Sequence, residues 1–298
     1  MEPLMSVSAL SELLAEAGNP TMAQPRPAGG IVVLDARWRL GGPPGERDYR
    51  QAHIPGAVFL DLDSDLAALP QGEGDTFTGR HPLPNPADWQ RTLRAAGVGE
   101  RSVVVAYDDA DGSIAARAWW LVRWAGHRAV AVLDGGFAAW QRAELAVSAE
   151  MPTPRPGDIT VRAPAMPVLD TAAATSLGRA GMLLDARAEQ RYTGEVEPAD
   201  ARAGHIPGAR NAPFANHVDA HGHWRDRAEL AAYFAGLGVR SGARAGAYCG
   251  SGVTACSVVL ALEVAGLADT EHPAPLYVGS WSSYSAGAGP VALGPQPG

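Results

Sequence analysis

The chain repeats itself, and that repetition limits its fold more than any other feature. Ile31-Val-Val-Leu-Asp35-Ala-Arg37 is followed by His53-Ile-Pro-Gly-Ala57, and Met182-Leu-Leu-Asp185-Ala-Arg187 is followed by His205-Ile-Pro-Gly-Ala209. The Asp-to-His spacing nearly agrees between the two, running from Asp35 to His53 and from Asp185 to His205. Further on, Ser102-Val-Val-Val-Ala-Tyr107-Asp108 matches Ala243-Arg-Ala-Gly-Ala-Tyr248-Cys249. Helical patterns follow at 115–126 and 255–266, at one constant offset. Four correspondences in one order indicate a duplicated domain.

Apolar runs with strand character alternate with helical periodicity, so each copy is expected to be an α/β domain whose mainly parallel sheet is flanked by helices. A chain of 298 residues is long enough for two such cores. The expected boundaries are an N-terminal domain at 5–145, a linker at 146–167, a C-terminal domain at 168–285 and a flexible tail at 286–298. The linker rests on the proline density of Met151-Pro-Thr-Pro-Arg-Pro-Gly157, which suits neither helix nor central strand.

Composition narrows the function. Formal charge is −8 and no basic run interleaves with aromatics, so no nucleic-acid partner is expected. All 24 basic residues are arginine, which removes lysine nucleophiles, Schiff bases and the phosphate-loop lysine. No stretch approaches the length of a membrane span and the start lacks the form of a signal peptide, so a cytoplasmic location without membrane contact is expected. The two cysteines, Cys249 and Cys256, form no CxxC and no zinc spacing. No metal or organic cofactor is expected.

The chemistry concentrates in Cys249-Gly250-Ser251-Gly252-Val253-Thr254, between a strand ending at Tyr248 and a helix opening at Ala255. Such a junction can curl its N–H groups inward and add the positive end of the helix. A thiol held there should ionise readily, and the thiolate is the nucleophile. Cysteine phosphatases place an arginine six positions after the cysteine, and Ala255 stands there instead. Cys256, one turn into an apolar helix, reads as core. Trp119, Trp120 and Trp124 read as packing at helical spacing.

The loop and the paired His-Ile-Pro-Gly-Ala segments resemble the tandem-domain rhodanese family over about residues 5–284, in particular its members that use 3-mercaptopyruvate. The resemblance implies a sulfurtransferase moving sulfur to a thiol, thioredoxin or cyanide acceptor through a Cys249 persulfide. It also implies a silent first copy, in which Asp108 stands where Cys249 stands in the second. Gly250 and Ser251 occupy the places where thiosulfate-preferring members carry basic residues. The resemblance further implies Cys249 as the nucleophile, Ser251 and His53 as a catalytic proton relay and Arg191 as the carboxylate-binding arginine. Arg202 is the candidate for the second arginine by proximity alone, in a segment whose length departs from the family's. Gly250, Gly252, Val253 and Thr254 are expected to bind the substrate through the N–H cradle of the loop. His205 reads as a turn residue. Two alternatives stay open: a thiosulfate donor with the same Cys249 chemistry, and a non-catalytic rhodanese-like binding or sensor module.

Overall fold

A computed structural model of the chain describes residues 1–18 and 29–298. The backbone divides into two compact units, one comprising residues 1–66, 84–165 and 220–224, the other 67–83, 166–219 and 225–298. The repeats alone predict contiguous domains at 5–145 and 168–285. In the structure, instead, each half lends a segment to the unit built by the other: Ala67–Leu83 folds with the second unit and Ala220–Trp224 with the first.

The first unit contains β1 (Leu4–Met5), α1 (Val7–Gly18), β2 (Ile31–Asp35), α2 (Gly45–Gln51), β3 (Val58–Phe59), α3 (Pro86–Ala95), β4 (Val103–Tyr107), α4 (Ser113–Trp124), β5 (Val130–Leu133) and α5 (Gly136–Arg142). Its sheet is parallel in the order β1-β5-β4-β2-β3. The second contains β6 (Val168–Leu169), α6 (Thr171–Arg179), β7 (Leu183–Asp185), α7 (Glu189–Thr193), β8 (Arg210–Asn211), α8 (Arg227–Gly236), β9 (Gly246–Tyr248), α9 (Ala255–Val264), β10 (Leu276–Tyr277) and α10 (Ser280–Ala286). Its order, β6-β10-β9-β7-β8, is the first order repeated, again all parallel. Parallel strands need crossovers, and the helices between them cover the sheet faces.

Local chemistry sets the helix starts. Asn85 caps α3 through the Ala87 N–H at 2.9 Å with Pro86 as its first residue, and Asp226 and Glu229 form a reciprocal capping box on α8. The first core gathers Val33, Val105, Tyr107 and Trp140 with Leu10 of α1. The second gathers Leu183, Ile206, Tyr248, Trp281 and Tyr284. Trp119, Trp120 and Trp124 are buried in α4. No helix among the described residues is long and apolar enough to cross a membrane.

The duplicated motifs do the same work twice. Asp35 and Arg37 pair at 2.6 Å, as do Asp185 and Arg187, all fully or almost fully buried. The Tyr107 hydroxyl takes the Ile54 N–H at 3.2 Å, and Tyr248 takes that of Ile206 at 3.2 Å. His53 stacks on Tyr49 and bonds to the Tyr49 and Glu150 carbonyls at 2.8 and 3.1 Å. His205 stacks on Tyr192 and bonds to the Tyr192 and Pro297 carbonyls at 2.8 and 3.3 Å.

The end of the chain departs from the flexible tail expected at 286–298. Ala292 forms an antiparallel bridge with His205, and the Gly294 N–H donates to the Thr193 carbonyl at 2.8 Å. These main-chain bonds tie the tail to the second unit.

Candidate active site

Cys249 follows β9, and main-chain bonds to the segment after β10 hold it. Its carbonyl accepts the Trp281 N–H at 2.9 Å, the Gly250 carbonyl accepts the Ser282 N–H at 2.9 Å, and its own N–H donates to the Ser280 hydroxyl at 3.1 Å. The Gly252 N–H donates to Cys249 Sγ at 3.1 Å. Gly252 sits at φ +81°, and a Cβ there would overlap the Val278 carbonyl, so this turn requires glycine. The Val253 and Thr254 carbonyls receive the N–H groups of Cys256 and Ser257 at 3.0 and 3.1 Å and so open α9. Cys249 is buried, and so is Cys256, whose thiol meets the Gly252 carbonyl at 3.4 Å.

The first copy shows what the same loop does with a carboxylate. Asp108 accepts the N–H groups of Ala110, Gly112, Ile114 and Ala115 at 2.9 to 3.0 Å. Burial, with Asp111 adding to it, pushes its carboxyl up to about 6. The amide ring is filled by the protein's own anion.

Two groups beside Cys249 come from the segment that the first half contributes. The His81 Nδ1 lies 2.7 Å from Ser251 Oγ, with both side chains almost wholly buried. The family resemblance pairs Ser251 with His53. In the structure His81 stands at that hydroxyl, and His53 has both ring nitrogens on main-chain carbonyls, the arrangement of its counterpart His205.

Arg80 is the second group. A Cβ on Gly250 would lie 3.0 Å from Arg80 Nη2 and 3.2 Å from Arg191 Nη1, so both guanidiniums crowd the residue next to the thiol. The Arg80 N–H donates to Ser282 Oγ at 3.1 Å, and the close approach of Gly79 to Gly279 lets the segment lie against α10. Burial and the like charge of Arg191 hold the Arg80 guanidinium below its usual value, while the Cys249 charge acts the other way.

Carboxylates organise this pair of arginines. Asp200 bonds Arg80 through one oxygen and Arg191 through the other, the latter at 3.0 Å. Glu197 bonds Arg191 at 2.7 Å and Arg187 at 3.2 Å. The Arg191 Nε is buried and meets no acceptor among the described residues. Arg202, the second arginine expected from the sequence, is spent elsewhere: its three nitrogens donate to the Ser285, Gly289 and Tyr284 carbonyls at 2.8 to 3.1 Å. It clamps the end of α10, and the arginine that stands beside Arg191 is Arg80.

The loop therefore combines a soft nucleophile, a Ser–His pair and two guanidiniums fit to grip a small anion. A rhodanese-like domain model matches residues 19–143 and 170–286. A Pseudomonas aeruginosa protein named as a probable 3-mercaptopyruvate sulfurtransferase is 46% identical over 260 residues, covering 85% of this chain and 89% of that protein. SseB of Mycobacterium tuberculosis, named provisionally as a thiosulfate sulfurtransferase, is 40% identical, covering 86% of this chain and 88% of its own. The crystal structure of SseA from Escherichia coli, described as a 3-mercaptopyruvate sulfotransferase with the rhodanese fold, superposes with a TM-score of 0.76 at 30% identity, covering 95% of this chain and all of that one.

Proposed function

The chain belongs to the rhodanese-like family and is a sulfurtransferase, and on that premise we propose that it takes sulfur from 3-mercaptopyruvate and carries it on Cys249 as a persulfide. The observation that carries this reading is the Cys249 thiol receiving the Gly252 N–H beside two guanidiniums, with no charged side chain at Gly250 or Ser251. Arg191 and Arg80 grip the donor carboxylate. The Cys249 thiolate attacks the donor sulfur, the S–S bond forms, and the carbon–sulfur bond breaks. Its electron pair leaves as the enolate of pyruvate, which takes up a proton. Ser251, bonded to His81, supplies the proton path at the keto oxygen. An acceptor thiolate, thioredoxin or cyanide then attacks the outer sulfur, which regenerates the Cys249 thiolate. A cytoplasmic location suits two cysteines that remain free thiols.

Thiosulfate is the second reading, favoured by the SseB likeness and by the presence of two arginines where a dianion would sit. Specificity constants for both donors decide between them. A higher kcat/KM for mercaptopyruvate is expected, and a large preference for thiosulfate overturns the first reading.

A further inference from the structure

The anion subsite beside Cys249 holds as many carboxylates as guanidiniums. Arg80 and Arg191 both reach the Gly250 position, and two such groups alone would suit a dianion. Asp200 cancels part of that charge. Both of its oxygens go to these two arginines, its side chain is 2% exposed, and it has no other side-chain partner in this network. Glu197 differs, because it also bonds Arg187 and receives the Ala199 and Asp200 N–H groups at 3.1 Å, so it belongs to the buried frame around Asp185.

We propose that Asp200 sets the donor charge this site accepts, favouring a monoanionic α-keto acid over a dianion such as thiosulfate. This rests on the donor reading above and names the residue responsible for it. A single anionic group finds waiting donors on Arg80 and Arg191, including the buried Arg191 Nε. A second negative charge on the donor meets the Asp200 carboxylate in a partly desolvated space. There, one unit of charge a few ångströms away is worth about ten-fold or more in binding. Asp200 is thus a positioning residue for the arginines and, through its own charge, a selector of the donor.

The test is the ratio of kcat/KM for thiosulfate to kcat/KM for mercaptopyruvate, measured at fixed ionic strength with saturating cyanide. Asp200→Asn should raise this ratio about ten-fold, chiefly through a lower KM for thiosulfate. Asp200→Glu, which keeps the charge, should leave the ratio near that of the parent enzyme. Ala199→Lys adds a cation at the exposed neighbouring position, where only the main-chain N–H meets the network through Glu197, and should move the ratio the same way by a smaller factor. Equal losses toward both donors in Asp200→Asn would assign Asp200 to structure alone and overturn the proposal. If that variant does not fold, an unchanged ratio in Ala199→Lys overturns it. A parent enzyme that prefers thiosulfate would sink the donor reading while leaving the ratio shifts to judge Asp200 separately.

Discussion

The Ser280 hydroxyl accepts the Cys249 N–H at 3.1 Å while the Ser280 backbone lies at φ +54°, a conformation that side chains resist. The same hydroxyl donates to the Tyr277 carbonyl at 2.8 Å. In the first copy the matching residue is Gly136, also at φ +54°, and the Phe137 N–H donates to the Asp108 carbonyl as that of Trp281 does to Cys249. The cysteine-bearing copy accepts backbone strain of about 1–3 kcal/mol and gains a fixed nucleophile. Ser280→Gly relieves the strain and loses the hydroxyl, so thermal stability should change little while kcat/KM falls about ten-fold. Ser280→Ala keeps the strain and loses the bond, and its melting temperature should fall by several degrees in calorimetry.

Cys249→Ser should abolish turnover with either donor while the far-ultraviolet circular dichroism stays unchanged. Mass spectrometry of the parent enzyme after donor treatment should find one added sulfur on the Cys249 peptide. An unmodified peptide after turnover without acceptor would refute the persulfide route.

Removing either guanidinium should act mainly on donor binding. Arg191→Gln and Arg80→Gln should each raise the KM for mercaptopyruvate about 10- to 100-fold, the worth of a charge-assisted hydrogen bond to a carboxylate. Arg202→Gln should leave KM near that of the parent and lower thermal stability, because its partners are main-chain carbonyls around α10.

His81 and His53 should separate cleanly in kinetics. His81→Ala should lower kcat about 100-fold and flatten the pH–rate profile, the signature of a lost proton path. His53→Ala should instead lower the melting temperature, since it removes a buried ring stacked on Tyr49 at 4.1 Å. The reverse pattern would restore the assignment made from sequence.

Acid stability carries two opposed contributions. Burial pushes His217 down to about 3 from 6.5, so between those values the unfolded chain binds a proton that the folded chain refuses. Its contribution is present above pH 6.5 and is lost as pH falls, at about 1.4 kcal/mol per pH unit. Asp108, raised from 3.8 to about 6, works the other way: its contribution is fully present below 3.8 and is lost as pH rises through 6. Urea midpoints followed from pH 7 to 4.5 should therefore fall less steeply in His217→Gln than in the parent, and more steeply in Asp108→Asn.

What the sequence made legible was whatever a short run of residues determines locally. Arg191 came only from the family resemblance, whereas the strands ending at Asp35 and Asp185 and the glycine loop could be read because strand pattern and loop chemistry belong to neighbours in the chain. Arg80 and His81 could not, since they lie in a Gly- and Pro-rich stretch without regular period, far upstream of the loop they serve. One signal was available. The stretch from Ala57 to Pro86 in the first copy is clearly longer than its counterpart from Ala209 to Arg227 in the second, and the excess is the segment that folds with the second unit. Arg202 misled for a related reason. In Gly194-Glu-Val-Glu-Pro-Ala-Asp-Ala-Arg202 charge is dense, and spacing alone does not tell a guanidinium that grips a ligand from one that clamps a helix end.

The placement of Ala67–Leu83 in the second unit sets how this gene can be divided. A polypeptide begun at Met166 would carry Cys249 yet lack Arg80 and His81, so under the proposed mechanism trimming the protein to its cysteine-bearing repeat should cost it donor affinity. The two repeats are therefore not separable units: the first supplies residues that the second unit is built from.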